Sequence, residues 1–553
     1  MNRRPQKLLG TIFSSIFMLT AITFGLQTGF ETQNLAFGSE HSSFIGQTTA
    51  VSGTAYLPLF FNNHGSSTPP AGLISSNLFS IPNDQILSCE HAYTTRLTTN
   101  NFARGIHPQN MHFSSCNTET DTPTLYTSLT LAQTDPDNAS NYFNNQSGMI
   151  VQSILNTTTN QLDTIGNRHF PECKEMVGID TSNSCGVVAA LCRTNSGRTD
   201  FDKDVVATHP NPNNWLQDEG KDEMWLYEWT NGDIQSEPAK YIVHKGIGSW
   251  EYGLYSLVYG ENDNTYGVAL KSTRGGHEAD SFSVVDRDTY SLDTKRGWDW
   301  SCGSGHTIHN RPGYNPFTQE YGMLCGTDWN NLDAGRYGSI SFTTETEENQ
   351  NFLLLQQYRL RQKGGPGAVH PLADGGWLGI IVGADGDLSY EKDSSGNDVT
   401  PSDPVTQIGL VRFDQDGDLV GEVKWVVSTA PNYTSYPQLV PLENGNYLLG
   451  YGKMPATSDA NPFQAGLHWQ LIFPEEYWVQ EIDVNGEAVS HAWRLDDVAW
   501  GELDELVSLG NNKVGWATYN MDRLTGTPDD GRWTQPLCNA SELQMNVYTS
   551  PNP

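Results

Sequence analysis

Residues 369–383, VHPLADGGWLGIIVG, and residues 439–452, LVPLENGNYLLGYG, carry the same pattern. Each has an apolar stretch, a turn that contains Gly375 or Gly445, and a second apolar stretch. This pattern predicts an antiparallel hairpin whose turn glycine adopts positive φ. A third copy, LVSLGNNKVGWA, occupies residues 506–517. Similar hairpins recurring along the chain indicate a repeat architecture.

A second kind of hairpin follows each of the first two copies, at residues 408–425 (IGLVRFDQDGDLVGEVKW) and 477–493 (YWVQEIDVNGEAVSHAW). Gly417 of the former aligns with Gly486 of the latter. Two hairpins make a four-stranded sheet, and repeated four-stranded sheets are typical of propeller blades. The chain therefore resembles β-propeller repeat proteins in general, over about residues 150–520. The resemblance is to a fold and to no single family, so it implies no catalytic residue.

Weaker copies of the same strands extend the pattern toward the N-terminus. They are VVAALCRTN (187–195), MWLYEWTNGD (224–233), YGVALK (266–271), SFSVVDRDTYS (281–291) and YGMLCGTD (321–328). We predict an all-β protein, a β-propeller of six or seven four-stranded blades with long inserted loops, and we prefer seven. Residues 80–150 would supply either the seventh blade or the strand that closes the ring. A two-sheet β-sandwich with a second β domain is the alternative, although sandwiches do not repeat their turns.

The N-terminal region has the features of an export signal, because three basic residues precede an apolar stretch at residues 8–26. We predict an export signal over residues 1–38 with an uncertain cleavage site. An uncleaved membrane anchor is the alternative, since the apolar stretch is long enough to span a bilayer. Residues 39–80, rich in Ser, Thr, Gly and Pro, are predicted to be a lead-in or linker, and residues 81–553 a single propeller domain.

Eight cysteines indicate an oxidising compartment, which agrees with export to the extracellular space, the periplasm or the cell surface. The repeat helps to pair them, because Cys192 and Cys325 occupy equivalent places and each has a cysteine about twenty residues upstream. We predict the two resulting bridges to lie within two blades. The predicted pairs are Cys302–Cys325, Cys173–Cys192 and Cys89–Cys116, with Cys185 and Cys538 left unassigned.

The chain has 64 acidic and 31 basic residues, a formal net charge of −33. This excess of acids argues against a nucleic-acid binder or an anionic-membrane binder, which would need a basic face. The acids either keep the protein soluble or bind calcium, which prefers oxygen ligands. The candidate calcium ligands are Asp385, Asp387 and Asp393 in the acidic segment 384–403. The DQDGD sequence at 414–418 lacks the final glutamate of an EF-hand loop, and we interpret it as a hairpin turn.

Residues 274–329 concentrate histidine, arginine and tryptophan in an otherwise acidic chain. In a recognition module, the indoles would stack on sugar faces while the charged groups form oriented hydrogen bonds. The candidate ligand-binding residues are Arg274, His277, Trp298, Trp300, Asp328 and Trp329. If the function is only structural, the same indoles pack between blades and the histidines bond neighbouring loops.

An enzyme that acts on acidic polysaccharides would use the same region differently. Arg311, or Arg274, would neutralise a uronate carboxylate, and His306 or His309 together with Tyr314 would transfer protons, as a lyase requires. A hydrolase would instead need two opposed carboxylates. The nearest candidates for that pair are Glu278, Asp280 and Asp328.

We therefore predict a secreted or cell-surface propeller for extracellular ligand recognition, with a carbohydrate as the expected ligand. A polysaccharide-active enzyme, lyase before hydrolase, is the main alternative, and a structural surface protein is the third. The expected partner is an extracellular glycan or a surface protein. No nucleic-acid partner is expected, no membrane contact beyond an N-terminal anchor, and no cofactor except calcium. We expect a monomer.

Overall fold

The computed structural model describes the strands and turns of the chain. The described residues are 73–82, 85–87, 89–91, 106–108, 111–117, 122–133, 146–195, 222–247, 256–274, 277–305, 310–327, 339–345, 351–353, 366–383, 391–392, 398–399, 407–429, 433–454, 474, 476–496, 498–501, 504–519 and 542–552. Among them there is no helix with the length and apolar character needed to cross a membrane. The export signal predicted over residues 1–38 lies outside them.

Strands are numbered along the chain. The first half contains β1 (Leu73–Ser80), β2 (Gln85–Leu87), β3 (Cys89–His91), β4 (Ile106–Pro108), β5 (His112–Asn117), β6 (Pro123–Gln133), β7 (Gln146–Asn156), β8 (Gln161–Phe170), β9 (Glu175–Thr181), β10 (Val187–Asn195), β11 (Asp222–Thr230), β12 (Ala239–Ile247), β13 (Ser256–Gly260), β14 (Thr265–Arg274), β15 (His277–Asp286) and β16 (Ser291–Gly305). The second half contains β17 (Asn310–Asn315), β18 (Glu320–Thr327), β19 (Ser339–Thr344), β20 (Asn351–Leu353), β21 (Pro366–Pro371), β22 (Trp377–Gly383), β23 (Glu391–Lys392), β24 (Asp398–Val399), β25 (Gln407–Phe413), β26 (Lys424–Val427), β27 (Tyr433–Pro441), β28 (Tyr447–Met454), β29 (Glu476–Ile482), β30 (Trp493–Leu495), β31 (Val507–Gly510), β32 (Lys513–Tyr519) and β33 (Glu542–Thr549).

These strands form seven antiparallel blades, so the predicted all-β propeller is confirmed, with seven blades rather than six. Blade 1 is β5–β8, blade 2 is β9–β12, blade 3 is β13–β16, blade 4 is β17–β20, blade 5 is β21, β22, β25 and β26, blade 6 is β27–β30, and blade 7 is β31–β33 with β1. The short strand β2 also pairs with β6, and β3–β4 and β23–β24 are separate two-stranded ribbons.

The first strand of each blade is the innermost. These strands contact one another in the order β5, β9, β13, β17, β21, β27, β31 and back to β5, which closes a ring around the propeller axis. The middle strands lie between neighbouring blades, and all seven residues of β22 are buried. Outer strands meet solvent on one side, as the mixed exposure of β8 shows. A strand covered on both faces is uniformly apolar in sequence, which explains the WLGIIVG pattern.

Blade 7 is completed by β1, the first of the described strands. Strand β1 is the outermost strand of blade 7 and pairs antiparallel with β33, from Leu73 opposite Thr549 to Ser80 opposite Glu542. The stretch 39–80, predicted as a lead-in or linker, therefore ends in a strand of the propeller. Residues 112–156 form the first three strands of blade 1, so the region 80–150 contributes to a blade and does not close the ring.

The repeated turns follow from one local arrangement. In the turns of blades 5 and 6, the backbone N–H of Gly376 donates to Asp374 Oδ1 and that of Asn446 to Asn444 Oδ1, both at 3.0 Å. The glycine between each pair has φ near +85°, at 88° and 84°, a conformation that costs other residues energy. The DQDGD segment is a turn of the same kind, as predicted, because Asp414 Oδ1 accepts two backbone N–H groups.

The connections make the two faces of the ring different. Connections between first and second strands and between third and fourth strands, such as 182–186 and 414–423, are short turns, and we call their side the turn face. Successive strands run in opposite directions, so connections between second and third strands and between blades leave from the other side. Several of these span long stretches of sequence, such as 196–221 and 384–406, and we call this side the long-connection face.

The apolar core is divided into layers between blades. One cluster, for example, joins Val177 and Leu226 of blade 2 to Tyr266 of blade 3. Buried glutamates on third strands add hydrogen bonds across these layers. Glu481 of blade 6 is fully buried, and its carboxylate accepts the hydroxyl of Tyr548 of blade 7 at 2.9 Å. Glu228 of blade 2 accepts the hydroxyl of Tyr266 at 2.6 Å in the same way.

Three disulfides are present among the described residues. The predicted pairs Cys173–Cys192 and Cys302–Cys325 are confirmed, but Cys302 lies on the outermost strand of blade 3, so its bridge joins blades 3 and 4 and does not lie within one blade. The predicted Cys89–Cys116 pair is wrong, because Cys116 is bonded to Cys185, with their Cα atoms 5.2 Å apart. This disulfide therefore joins the innermost strand of blade 1 to the first turn of blade 2. Cys538 lies outside the described residues.

Candidate functional site

Two of the predicted catalytic residues lie on the same inner strand, β17, but at different places. Arg311 is its second residue and Tyr314 its fifth. A separation of three residues in a strand is about 10 Å and places the two side chains on opposite faces. Tyr314 packs on Tyr321, with ring centroids 5.0 Å apart, and burial together with the charge of Asp263 raises its pKa. The structure therefore separates Tyr314 from Arg311.

The predicted ligand-binding residues are distributed over blades 3 and 4. Trp298 is 8% exposed between them, and its indole N–H donates to the carbonyl of Thr344 at 3.2 Å. This is a packing role. Arg274 and His277 face each other across the β14–β15 hairpin, at the long-connection face. Trp300 lies on β16, and the hydrolase candidates Glu278 and Asp280 on β15.

Other predicted site residues lie outside the described residues. They are His306, His309, Asp328, Trp329, Asp385, Asp387 and Asp393. In the chain, all of them fall in segments that connect blades or join second to third strands. Within the described parts of the chain, no group of three His, Cys, Asp or Glu side chains is arranged to hold a metal ion. The calcium site remains a prediction.

Arg311 reaches across the ring. Its side chain is 3% exposed, and its Nε–H donates to the carbonyl of Gly367 on blade 5 at 3.0 Å. Its Nη1 lies 3.4 Å from Oε1 of Glu505, two residues before the inner strand of blade 7. Blades 4 and 7 are three places apart in a ring of seven, the largest separation that the ring allows. The guanidinium of Arg311 therefore lies close to the propeller axis.

Asp504 is a second charged group at this place. It is 1% exposed, and its two carboxylate oxygens accept the backbone N–H groups of Met111 at 2.9 Å and Gly501 at 2.6 Å. Its own carbonyl accepts the side-chain amide of Gln438 from blade 6 at 2.6 Å. Burial raises the pKa of Asp504 to about 6 despite the two hydrogen bonds and the nearby Arg311, which act in the opposite direction.

Asp180 lies near the end of β9, the inner strand of blade 2. Its carboxylate accepts the hydroxyl of Ser114 from blade 1 and the backbone N–H of Tyr259 from blade 3, each at 2.7 Å. Burial raises its pKa to about 6, and the charge of Glu505 adds to the effect. The first residue of β5, His112, has its pKa lowered to about 3 by burial and by the charge of Arg311, so its imidazole is neutral at physiological pH.

We call His112, Asp180, Arg311, Asp504 and Glu505 the axial cluster. Carboxyl groups with a pKa near 6 are suited to proton transfer. In Asp180 and Asp504, however, protein donors occupy both carboxylate oxygens, so these groups hold the inner strands together. Glu505 differs, because its side chain is 42% exposed. It is therefore the point at which the cluster meets solvent, on the long-connection face.

Only Arg311 of the axial cluster was predicted from the sequence as a site residue. The other members come from three separate parts of the chain, at residues 112, 180 and 504–505, and no local motif surrounds them. One signal was available, because Asp180 interrupts the apolar inner strand of the hairpin that begins blade 2. A charged residue at such a position needs partners from neighbouring blades.

No protein family matches the sequence, and no curated protein sequence is similar to it. Solved structures with a similar course of the chain include a protein of unknown function from Dyadobacter fermentans, with 8% identity, coverage of 86% of this chain and 99% of that one, and a TM-score of 0.36. An ulvan lyase from a new polysaccharide lyase family has 9% identity, coverage of 79% and 93%, and a TM-score of 0.37. A thermostable family-43 glycoside hydrolase has 10% identity, coverage of 53% and 88%, and a TM-score of 0.29. At these scores the similarity carries no argument about function, and the assignment of the fold rests on the seven sheets themselves.

Proposed function

We propose that this protein is an exported recognition module that binds a carbohydrate on the long-connection face, above the axial cluster. The observation that carries the proposal is the position of Arg311, buried on the axis and in contact with the half-exposed Glu505. Charged side chains from several blades converge there, and connecting segments held by a rigid scaffold are where binding residues concentrate. Mouths of closed β structures are likewise frequent ligand sites.

The chemistry of the axial cluster suits a ligand rich in hydroxyl groups. A guanidinium can only donate hydrogen bonds and a carboxylate can only accept them, whereas a sugar hydroxyl does both. Trp300 and Trp329, which the sequence marks as candidates, would supply the flat apolar surface on which a sugar ring stacks. Recognition of this kind needs no reactive group.

Recognition is favoured over hydrolysis because the carboxyl groups of the axial cluster do not form a pair that could act on a glycosidic bond. A glycosidase needs two carboxyl groups on either side of the bond that it cleaves. In the axial cluster both carboxylate oxygens of Asp504 and of Asp180 already accept hydrogen bonds from the protein, which leaves Glu505 as the acid of the cluster at the solvent boundary. The polysaccharide lyase alternative depends on His306 and His309, and the experiment below would detect it.

Export is supported by the disulfides, which persist in oxidising compartments. The proposed partner is a glycan of the extracellular space or of a cell surface, and the proposed protein is a monomer. Calcium, bound by the acidic segment 384–403, would act as an accessory ion at the same face.

The proposal is tested with the purified protein and a panel of immobilised neutral and uronic-acid polysaccharides, with and without calcium. Retention and new ultraviolet absorbance from unsaturated sugar ends are followed together. Retention without absorbance is expected. New absorbance would replace recognition by lyase activity, and the absence of both retention and absorbance would favour a structural surface protein.

A pair of matched variants locates the site. Glu505→Trp places a large side chain at the solvent boundary of the axial cluster and is expected to abolish retention. Glu487→Trp makes the same change at a 73% exposed position on the turn face and is expected to leave retention intact. Equal retention by both variants would show that the ligand binds elsewhere.

A further inference from the structure

Arg311 needs a counter-ion at all times. Its guanidinium is always charged and its side chain is 3% exposed, so water cannot replace a lost partner at low cost. The Nε–H bond to the carbonyl of Gly367 satisfies one donor but does not neutralise the charge. One carboxylate in contact with the guanidinium is that of Glu505, at 3.4 Å.

The carboxylates of the axial cluster differ in how firmly they are held. Asp504 accepts backbone N–H groups on both oxygens, and Asp180 accepts protein donors on both of its oxygens. These two acids cannot leave without breaking contacts between blades. Glu505 is 42% exposed, so its side chain can turn into solvent when another carboxylate takes its place beside Arg311.

From this arrangement we infer that Glu505 occupies the place of the ligand's own acidic group, so that a sugar carboxylate binds Arg311 by exchanging with Glu505. The inference rests on the proposed function and specifies its ligand as a uronic-acid glycan. Exchange of one carboxylate for another leaves the charge of the axial cluster unchanged. This matters in a protein with a net charge of −33, where an added anion without such an exchange would be repelled.

We expect a carboxylate rather than a sulfate ester, because the position beside Arg311 is already occupied by a carboxylate of the chain itself, that of Glu505. The three probes are a uronic-acid oligosaccharide, the same oligosaccharide with its carboxyl groups reduced to alcohols, and a sulfated form of the reduced sugar. They share the sugar backbone and differ only in the acidic group.

The decisive variant is Glu505→Gln, which keeps the size of the side chain and removes its charge at a half-exposed position. We expect its affinity for the uronic-acid probe, measured by titration calorimetry, to increase about fivefold, because the competing anion is gone. Affinity for the reduced probe should stay the same. Glu487→Gln, which removes one exposed charge on the turn face, should change neither affinity.

Each other result contradicts the inference in a recognisable way. If Glu505→Gln leaves binding of the uronic-acid probe unchanged or weakens it, Glu505 is not the group displaced. If the reduced probe binds as tightly as the uronic-acid probe, the module recognises sugar hydroxyls, and the proposed function stands without the exchange. Preference for the sulfated probe would assign the site to sulfate esters. Failure of the wild-type protein to bind any of the three would refute the exchange, and the proposed function would then be decided by retention on the neutral polysaccharides of the panel.

Discussion

The buried carboxyl of Asp504 should make the stability of the propeller depend on pH in an unusual direction. Most paired carboxylates stabilise a protein at neutral pH, because their pKa is lower in the folded state. Burial raises the pKa of Asp504 from 3.8 to about 6, so the folded protein holds this proton more tightly than the unfolded chain does. Its contribution to stability is therefore complete below about pH 4 and is lost as the pH rises through about 6.

The size of the effect follows from the two pKa values. A rise from 3.8 to about 6 corresponds to about 3 kcal/mol of unfolding free energy lost between pH 4 and pH 7.5. The substitution Asp504→Asn removes this titratable carboxyl group. It also leaves one of the N–H groups of Met111 and Gly501 without a carboxylate oxygen, at a cost of about 1–3 kcal/mol that does not vary with pH.

Urea unfolding followed by tryptophan fluorescence, at several values between pH 4 and pH 7.5, measures the difference between the wild type and Asp504→Asn. The advantage of the wild type should shrink by about 3 kcal/mol across this range. The contribution of Asp180 titrates in both proteins and cancels. Asp496→Asn, at a 77% exposed position, is the control and should show no such trend. Parallel curves for the wild type and Asp504→Asn would refute the reasoning, since Asp504 would then be ionised in the folded protein throughout.

Two further predictions concern contacts between blades. Replacing both Cys116 and Cys185 with serine opens a loop of 69 residues and should lower the unfolding free energy by about 4 kcal/mol, measured by denaturation against the unreduced wild type; no change would mean that the bridge does not constrain the unfolded chain. Tyr548→Phe removes a hydroxyl that donates to the fully buried Glu481 and should cost about 1–3 kcal/mol in the same assay, whereas a cost near zero would show that water replaces the hydroxyl.

The fold was accessible from the sequence wherever a blade repeats its local chemistry. The glycines at 375, 445, 417 and 486 mark turns that need positive φ, and the structure has all four there. The apolar run of β22 and its counterparts follows from burial between neighbouring blades. These signals lie within a few residues of one another, so a single chain is enough to find them.

Contacts between blades have no comparable signal in the sequence. Cys116 and Cys185 lie on adjacent blades, while proximity in the sequence favoured Cys89. The Arg311–Glu505 pair joins positions on opposite sides of the ring, and only the closed ring brings them together. The placement of Trp298 also depends on the ring, since the same indole that would stack on a sugar is buried against blade 4.

The position of strand β1 has a consequence for how the newly synthesised chain folds. The side chain of Ser76 bonds to that of Asn546, a partner 470 residues later in the chain. Strand β1 is synthesised before the strands of all seven blades that follow it, so it must wait for about 470 further residues before its partner exists. Contacts between such distant residues form slowly. Until they form, β33 presents an unpaired edge to any other extended segment, so the newly made chain is most vulnerable to aggregation in the interval before β1 and β33 meet.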